Sequence, residues 1–189
     1  MDMKLFNELI KIRPSQHSPE FLTYLEICEI YLKRYNIKNP VVVELGVYFN
    51  KQKRFYEQLL GAEHIGIDIG SKRSIPDIQG NTHDPEILKK LKEKLNGRPI
   101  NILFIDASHR YDDVKKDYEI YSPLCSGIIA FHDIHTYRDS RIQRARVWQF
   151  WDELRADAYT GRKYQDSLFI SVHQFREKIQ MGIGIVIKR

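Results

Sequence analysis

Pro40-Val41-Val42-Val43-Glu44-Leu45-Gly46 is the stretch on which the reading of this chain turns. Three successive valines and a leucine, without alternation of apolar and polar positions, have the pattern of a strand buried on both faces. Such strands belong to parallel sheets covered by helices, so helical periodicity should flank the run. Upstream, Ser18-Pro19-Glu20 offers an N-cap, a proline at the first helical position and an early acid, followed by Phe21, Leu22, Leu25, Cys28 and Leu32 at helical spacing. Downstream, residues 51–60 read as a helix closed by Gly61, and residues 64–68 as a short second strand ending in an acid.

The alternation continues to the end of the chain. Residues 75–80 read as a weak third strand. Asp84-Pro85-Glu86 opens a helix with Ile87, Leu88, Leu91 and Leu95 on one face. Residues 100–105 form an apolar strand ending at Asp106, residues 111–121 a helix before Pro123, and residues 127–131 a strand ending in His132-Asp133. A helix bearing Val147, Phe150, Trp151 and Leu154 follows. The connection between the last two strands, 167–172 and 182–187, is too short for a crossover helix of about a dozen residues, so that pair should be antiparallel. The expected fold is an α/β, Rossmann-like helix-sheet-helix sandwich, with a seven-stranded, mostly parallel sheet and a C-terminal antiparallel hairpin. One domain would span residues 1–189, with an N-terminal helical segment (1–38) before the sheet core (39–189).

Composition narrows the classes. At 189 residues, 42% hydrophobic and 29% charged, the chain can bury a core without disulfides or structural zinc, and disorder is excluded. The net charge of +5 is spread among mixed signs, so no nucleic-acid partner is expected. Cys28 and Cys125 sit among apolar neighbours, outside any metal or redox spacing, and read as buried reduced thiols. Asp2 and Glu8 interrupt what would be the apolar part of a signal sequence, and no apolar run reaches the roughly 18 residues of a bilayer span. A cytoplasmic protein without a membrane partner is the expectation.

In open parallel sheets ligands bind beyond the carboxyl ends of the strands. Those ends carry Glu44 with Gly46, Asp68, Asp106 with His109, and His132-Asp133 with His135. A carboxylate beside an apolar run needs a ligand, a metal or a donor, although capping a helix or pairing with Lys or Arg would also satisfy it. Glu44-Leu45-Gly46 lacks the GxGxxG of a nicotinamide dinucleotide site. Asp68, ending the second strand, stands where an acid can accept hydrogen bonds from ribose hydroxyls. Arg138, Arg141, Arg144 and Arg146 form a basic cluster among Trp148 and Trp151: a solvated helix face, or a contact for an anionic acceptor.

Together, residues 42–48 (VVELGVY), 66–69 (GIDI), 79–86 (QGNTHDPE), 104–109 (FIDASH) with Tyr111 and Asp117, 131–134 (FHDI) and the ending 182–186 (GIGIV) resemble the class I S-adenosylmethionine-dependent methyltransferases. The resemblance is to the branch of cephalosporin-hydroxylase-like proteins and macrolide-sugar or rhamnosyl O-methyltransferases. It implies a cofactor site of Glu44, Gly46, Tyr48, Asp68, Thr82, His83 and Asp106. Gly46 would lie under the methionine part, Asp68 at the ribose, and Thr82-His83 beside the adenine. It also implies a divalent metal, Mg²⁺ or Mn²⁺, on Asp106, His132 and Asp133, with His109 as general base and Asp106 catalytic beside it. Asn50 departs from the family's usual glycine, Ala107-Ser108 from its Gly-Asp, and His132 from a carboxylate. The implied activity is O-methyl transfer to a small hydroxylated acceptor such as a sugar, with a homo-oligomer left open. Two other readings stand beside it: a non-catalytic binding module on the same fold, and a metal hydrolase built on Asp106, His109, His132, Asp133 and His135.

Overall fold

The computed structural model describes residues 1–70, 75–138, 145–161, 164, 166–173 and 181–188. Seven strands, β1 (Val41–Leu45), β2 (Glu63–Asp68), β3 (Ile78–Gln79), β4 (Ile100–Ile105), β5 (Cys125–His132), β6 (Leu168–Val172) and β7 (Ile183–Ile187), form one sheet in the order β3-β2-β1-β4-β5-β7-β6. β1 is central, with Val43 opposite Ile65 on one side and Leu103 on the other. The first five strands pair in parallel, and β7 runs antiparallel to both β5 and β6. The expected terminal pair is therefore present, with β7 inserted between β5 and β6.

Pleating sends Val41, Val43 and Leu45 to one face and Val42 to the other. The first face packs on α4 (Pro85–Leu95), α5 (Tyr111–Tyr121) and α6 (Val147–Tyr159) through Ile87, Leu91, Val114, Tyr118, Phe150 and Trp151. The second packs on α1 (Met3–Leu9), α2 (Ser18–Arg34) and α3 (Lys53–Leu60) through Phe6, Phe21, Tyr24, Leu25, Phe55 and Tyr56. Cys28 and Cys125 are free and buried, and burial pushes the Cys125 thiol up to about 11. Among the described residues, no helix is long and apolar enough to cross a membrane.

Element boundaries depart from the sequence pattern where local chemistry intervenes. α2 includes Ser18, and His17 takes the cap position without a side-chain bond. α3 starts at Lys53 because Tyr48 and Asn50, at φ +44° and +54°, coil the chain leftward first. β3 shrinks to two residues, since Pro76 offers no N–H to a ladder. β5 extends to His132 because its pairing with β7 persists to the His132–Ile183 pair.

Candidate active site

Parallel pairing brings the carboxyl ends of β2, β1, β4 and β5 side by side. Gly46 leaves β1 at φ +84°, a conformation glycine adopts without penalty. A Cβ there would lie 2.3 Å from the Asp106 carbonyl oxygen and 2.4 Å from Ala107 Cα. The glycine thus permits close approach of the β1 and β4 exits and leaves a bare backbone floor.

Over that floor opens a cleft of about 470 Å³, whose walls include Tyr48, Gln52, Asp68, Asp106, His109, His132 and Asp133. A second lobe of about 230 Å³ shares Gly46, Asp68, Ile69 and Ala107 with it and continues to Thr82, His83, Asp113 and Asp117. A larger groove of about 550 Å³ lies between α2 and β6, but its lining is almost wholly apolar, from Ile27 and Ile30 to Leu168 and Ile187, so it offers no comparable chemistry.

Asp68 organises the turn after β1. Its Oδ2 accepts from the backbone N–H groups of Val47 and Tyr48, each at 3.0 Å, and its Oδ1 from Gly70 at 2.7 Å. A carboxylate has about four lone-pair sites, so acceptor capacity facing the cleft remains. Asn50 occupies the left-handed conformation that asparagine tolerates better than most residues. Its Nδ2 donates to the Ile75 carbonyl at 2.8 Å, and the residue is absent from the lining of either lobe.

At the other end four ionisable groups converge. His132 Nδ1 lies 3.2 Å from Asp106 Oδ1 and 3.5 Å from Asp133 Oδ2; His109 Nε2 lies 3.1 Å from Asp133 Oδ2 and 3.6 Å from Asp106 Oδ1. Burial raises the Asp106 and Asp133 carboxyls, but the adjacent histidines reverse this, holding Asp106 below its ordinary value and Asp133 at about 2. His132 is buried, which opposes its charging; Asp106 and Asp133 outweigh that and raise it well above the usual imidazole value. The hydrogen bond to Asp106 raises His109 against its partial burial. Asp106, His109 and Asp133 each offer a ligand atom within 4.8 Å of the others, a mixed oxygen and nitrogen set that a divalent cation could use, with the imidazole favouring Mn²⁺ over Mg²⁺.

The remaining expected residues fall as follows. Tyr48 and Thr82 line the lobes, Thr82 with its carbonyl accepting from the Tyr121 hydroxyl at 2.8 Å. His83 Nε2 stands 3.3 Å from Asp117 Oδ1. Glu44 lies beneath the cleft, fully buried, with Oε2 2.8 Å from His64 Nε2; burial raises its carboxyl against the pull of that histidine. His135 packs against His173, ring centroids 4.3 Å apart, outside the Asp106–His109–Asp133 group. Arg138 is paired with Asp152 at 2.6 Å and stacks over Trp148, while Arg146 gives its backbone N–H to the His109 carbonyl. Arg141 and Arg144 lie outside the described residues. The sequence reading missed Ser15, Gln52 and Met181, which line the cleft, and Gln16, which donates to Asp106. None of them carries a periodicity or motif.

This strand order, with the glycine exit and the acid-lined cleft at the carboxyl edge, is the Rossmann-like fold seen in methyltransferases of known structure. Residues 54–134 match the family model described as a methyltransferase domain. Among solved structures, the MycE methyltransferase of the mycinamycin biosynthetic pathway, in complex with Mg, SAH and mycinamycin VI, superposes with a TM-score of 0.64 at 17% identity, covering 97% of this chain and 53% of that one. The chain thus spans about half of MycE. An O-methyltransferase from Bacillus cereus in complex with SAH gives a TM-score of 0.59 at 15% identity, covering 100% and 92% of the two chains. TomG of Streptomyces achromogenes, an O-methyltransferase of tomaymycin synthesis in complex with SAM, gives 0.58 at 12%, covering 86% and 79%. A 59-residue stretch is 37% identical to the uncharacterised protein y4gI of Sinorhizobium fredii, covering 30% of this chain and 6% of that protein.

Proposed function

We propose that the chain is an S-adenosylmethionine-dependent O-methyltransferase acting on a small hydroxylated acceptor, such as a sugar, with help from a divalent metal. The observation that carries this reading is the continuous two-lobed cleft, with Asp68 and Asp106 facing one space across the bare floor at Gly46. Gly46 fits the methionine portion of a cofactor, because backbone alone can be approached so closely. Asp68 would accept from the ribose hydroxyls, with Tyr48 beside it and Thr82 and His83 bordering the adenine in the smaller lobe. Glu44, one layer below, would support the floor of the cofactor site from its contact with His64. When bound, the cofactor supplies an electrophilic methyl group on a sulfonium.

Asp106 and Asp133 converge as a metal would require, and His132, with Nδ1 3.2 Å from Asp106 Oδ1, would be the nitrogen donor, leaving His109 free. A bound metal acidifies a hydroxyl brought to it. His109, 45% exposed at the mouth, is the residue best placed to accept the acceptor's proton. The MycE complex, holding Mg and SAH beside mycinamycin VI on the same fold, supports the combination of metal, cofactor and small acceptor.

Titration calorimetry with S-adenosylhomocysteine tests the reading. Binding is expected in wild type, weakened about tenfold or more in Asp68→Ala and less in Asp68→Asn, which keeps one acceptor oxygen. No heat at millimolar ligand with folded protein overturns the cofactor assignment, and Mn²⁺ binding alone would favour the metal-hydrolase reading.

A further inference from the structure

Two glutamines outside every sequence motif connect the N-terminal segment to the reacting end of the cleft. Gln52 Nε2 donates to Gln16 Oε1 at 2.6 Å, and Gln16 Nε2 donates to Asp106 Oδ2 at 2.9 Å. Both residues are 3% exposed. Burying two amides is unfavourable unless each finds partners, and here those partners are each other and Asp106. The direction of the chain is set by chemistry: an ionised carboxylate only accepts, so Gln16 must present its NH₂ to Asp106 and its oxygen to Gln52. Lys51 Nζ, one residue before Gln52, donates to the Arg13 carbonyl at 3.0 Å, latching the same two segments a second time. Ser15 consequently stands in the cleft wall.

We propose that Gln16, held by Gln52, is a positioning residue for Asp106: it occupies Oδ2 and so leaves Oδ1 directed at His132 and His109. Asp106 has only one oxygen on the cluster side, and a carboxylate free to rotate would spend part of its time presenting neither oxygen correctly. Gln52 acts one step removed. Its amide locks the flip state of Gln16, so its hold on Asp106 exists only while Gln16 is present. The consequence for ligand binding rests on the methyltransferase reading above; the relay itself does not.

The test has two arms. In calorimetry with Mn²⁺ and, separately, S-adenosylhomocysteine, read on whichever ligand wild type takes up, Gln16→Leu is expected to weaken binding about tenfold, the loss of one charge-assisted hydrogen bond. Gln52→Leu should weaken it about threefold, and the double variant should match Gln16→Leu alone, because the second residue acts through the first. Affinity within twofold of wild type for Gln16→Leu, or losses that multiply in the double variant, would overturn the proposal. Should Gln16→Leu not fold, Gln52→Leu still decides: unchanged affinity refutes it. The second arm uses ligand-free protein and the NMR signals of the Gln16 side-chain amide. These should move on Gln52→Leu and on Asp106→Asn; if they stay in place, the relay does not exist. If wild type binds neither ligand, the methyltransferase reading falls while this arm still judges the relay.

Discussion

At the scale of single residues, the paired acids and imidazoles at the ends of β4 and β5 make stability depend on pH. The Asp133 carboxyl is depressed to about 2 from an ordinary value near 4, so the stabilisation is present above pH 4 and disappears as pH falls toward 2. Its size is about 2 kcal/mol, and Asp133 is almost fully buried, so solvent screening removes little of it. Asp133→Asn should therefore lower the chemical-denaturation free energy at pH 6, with the gap from wild type closing between pH 4 and pH 2. A gap that stays constant through that range would show that the ion pairs with His132 and His109 are not its source. His132 works in the opposite sense, because its folded-state value is raised: its share is complete below pH 6 and fades as pH climbs through the raised value.

At the scale of elements, two glycines with similar backbone angles separate strain from crowding. Gly61 closes α3 at φ +60° with nothing within 4 Å of its missing Cβ; Gly46 leaves β1 at φ +84° with Asp106 backbone at 2.3 Å. Alanine at 61 should cost about 1 kcal/mol for the left-handed conformation alone. Alanine at 46 should cost distinctly more and also weaken the proposed cofactor binding, since β4's exit must shift; urea midpoints of the two variants make the comparison, and equal losses would contradict the close approach. The contrast shows what was legible in the sequence. The VVVELG run and the strand-end residues Asp68, Asp106 and His132-Asp133 could be read because a parallel strand is apolar up to its last residue and polar just beyond. Gln16 and Gln52 could not, because an isolated amide in a turn has no period and meets its partner across 90 residues of chain. The place of β7 between β5 and β6 was hidden too, since it is fixed by long-range pairing rather than by any local pattern.

At the scale of the whole molecule, α6 sets its largest side chain, Trp151, deep against the sheet. Trp151 is 1% exposed, packs against Phe131 of β5 and Phe169 of β6, and donates its indole N–H to Ser171 at 3.1 Å. Gly184 of β7 has no Cβ where the indole ring lies, 2.8 Å from where one would stand. Trp151→Ala is expected to lower unfolding free energy by about 3–5 kcal/mol, measured by urea denaturation; a loss below about 1 kcal/mol would show that α6 does not depend on this anchor. Both tryptophans of the chain lie on α6, and Trp151 touches the strand whose tip carries His132-Asp133. The protein therefore holds a built-in optical gauge: indole emission, with no label attached, will report whatever disturbs the end of β5, and Trp148→Phe leaves that signal to a single emitter.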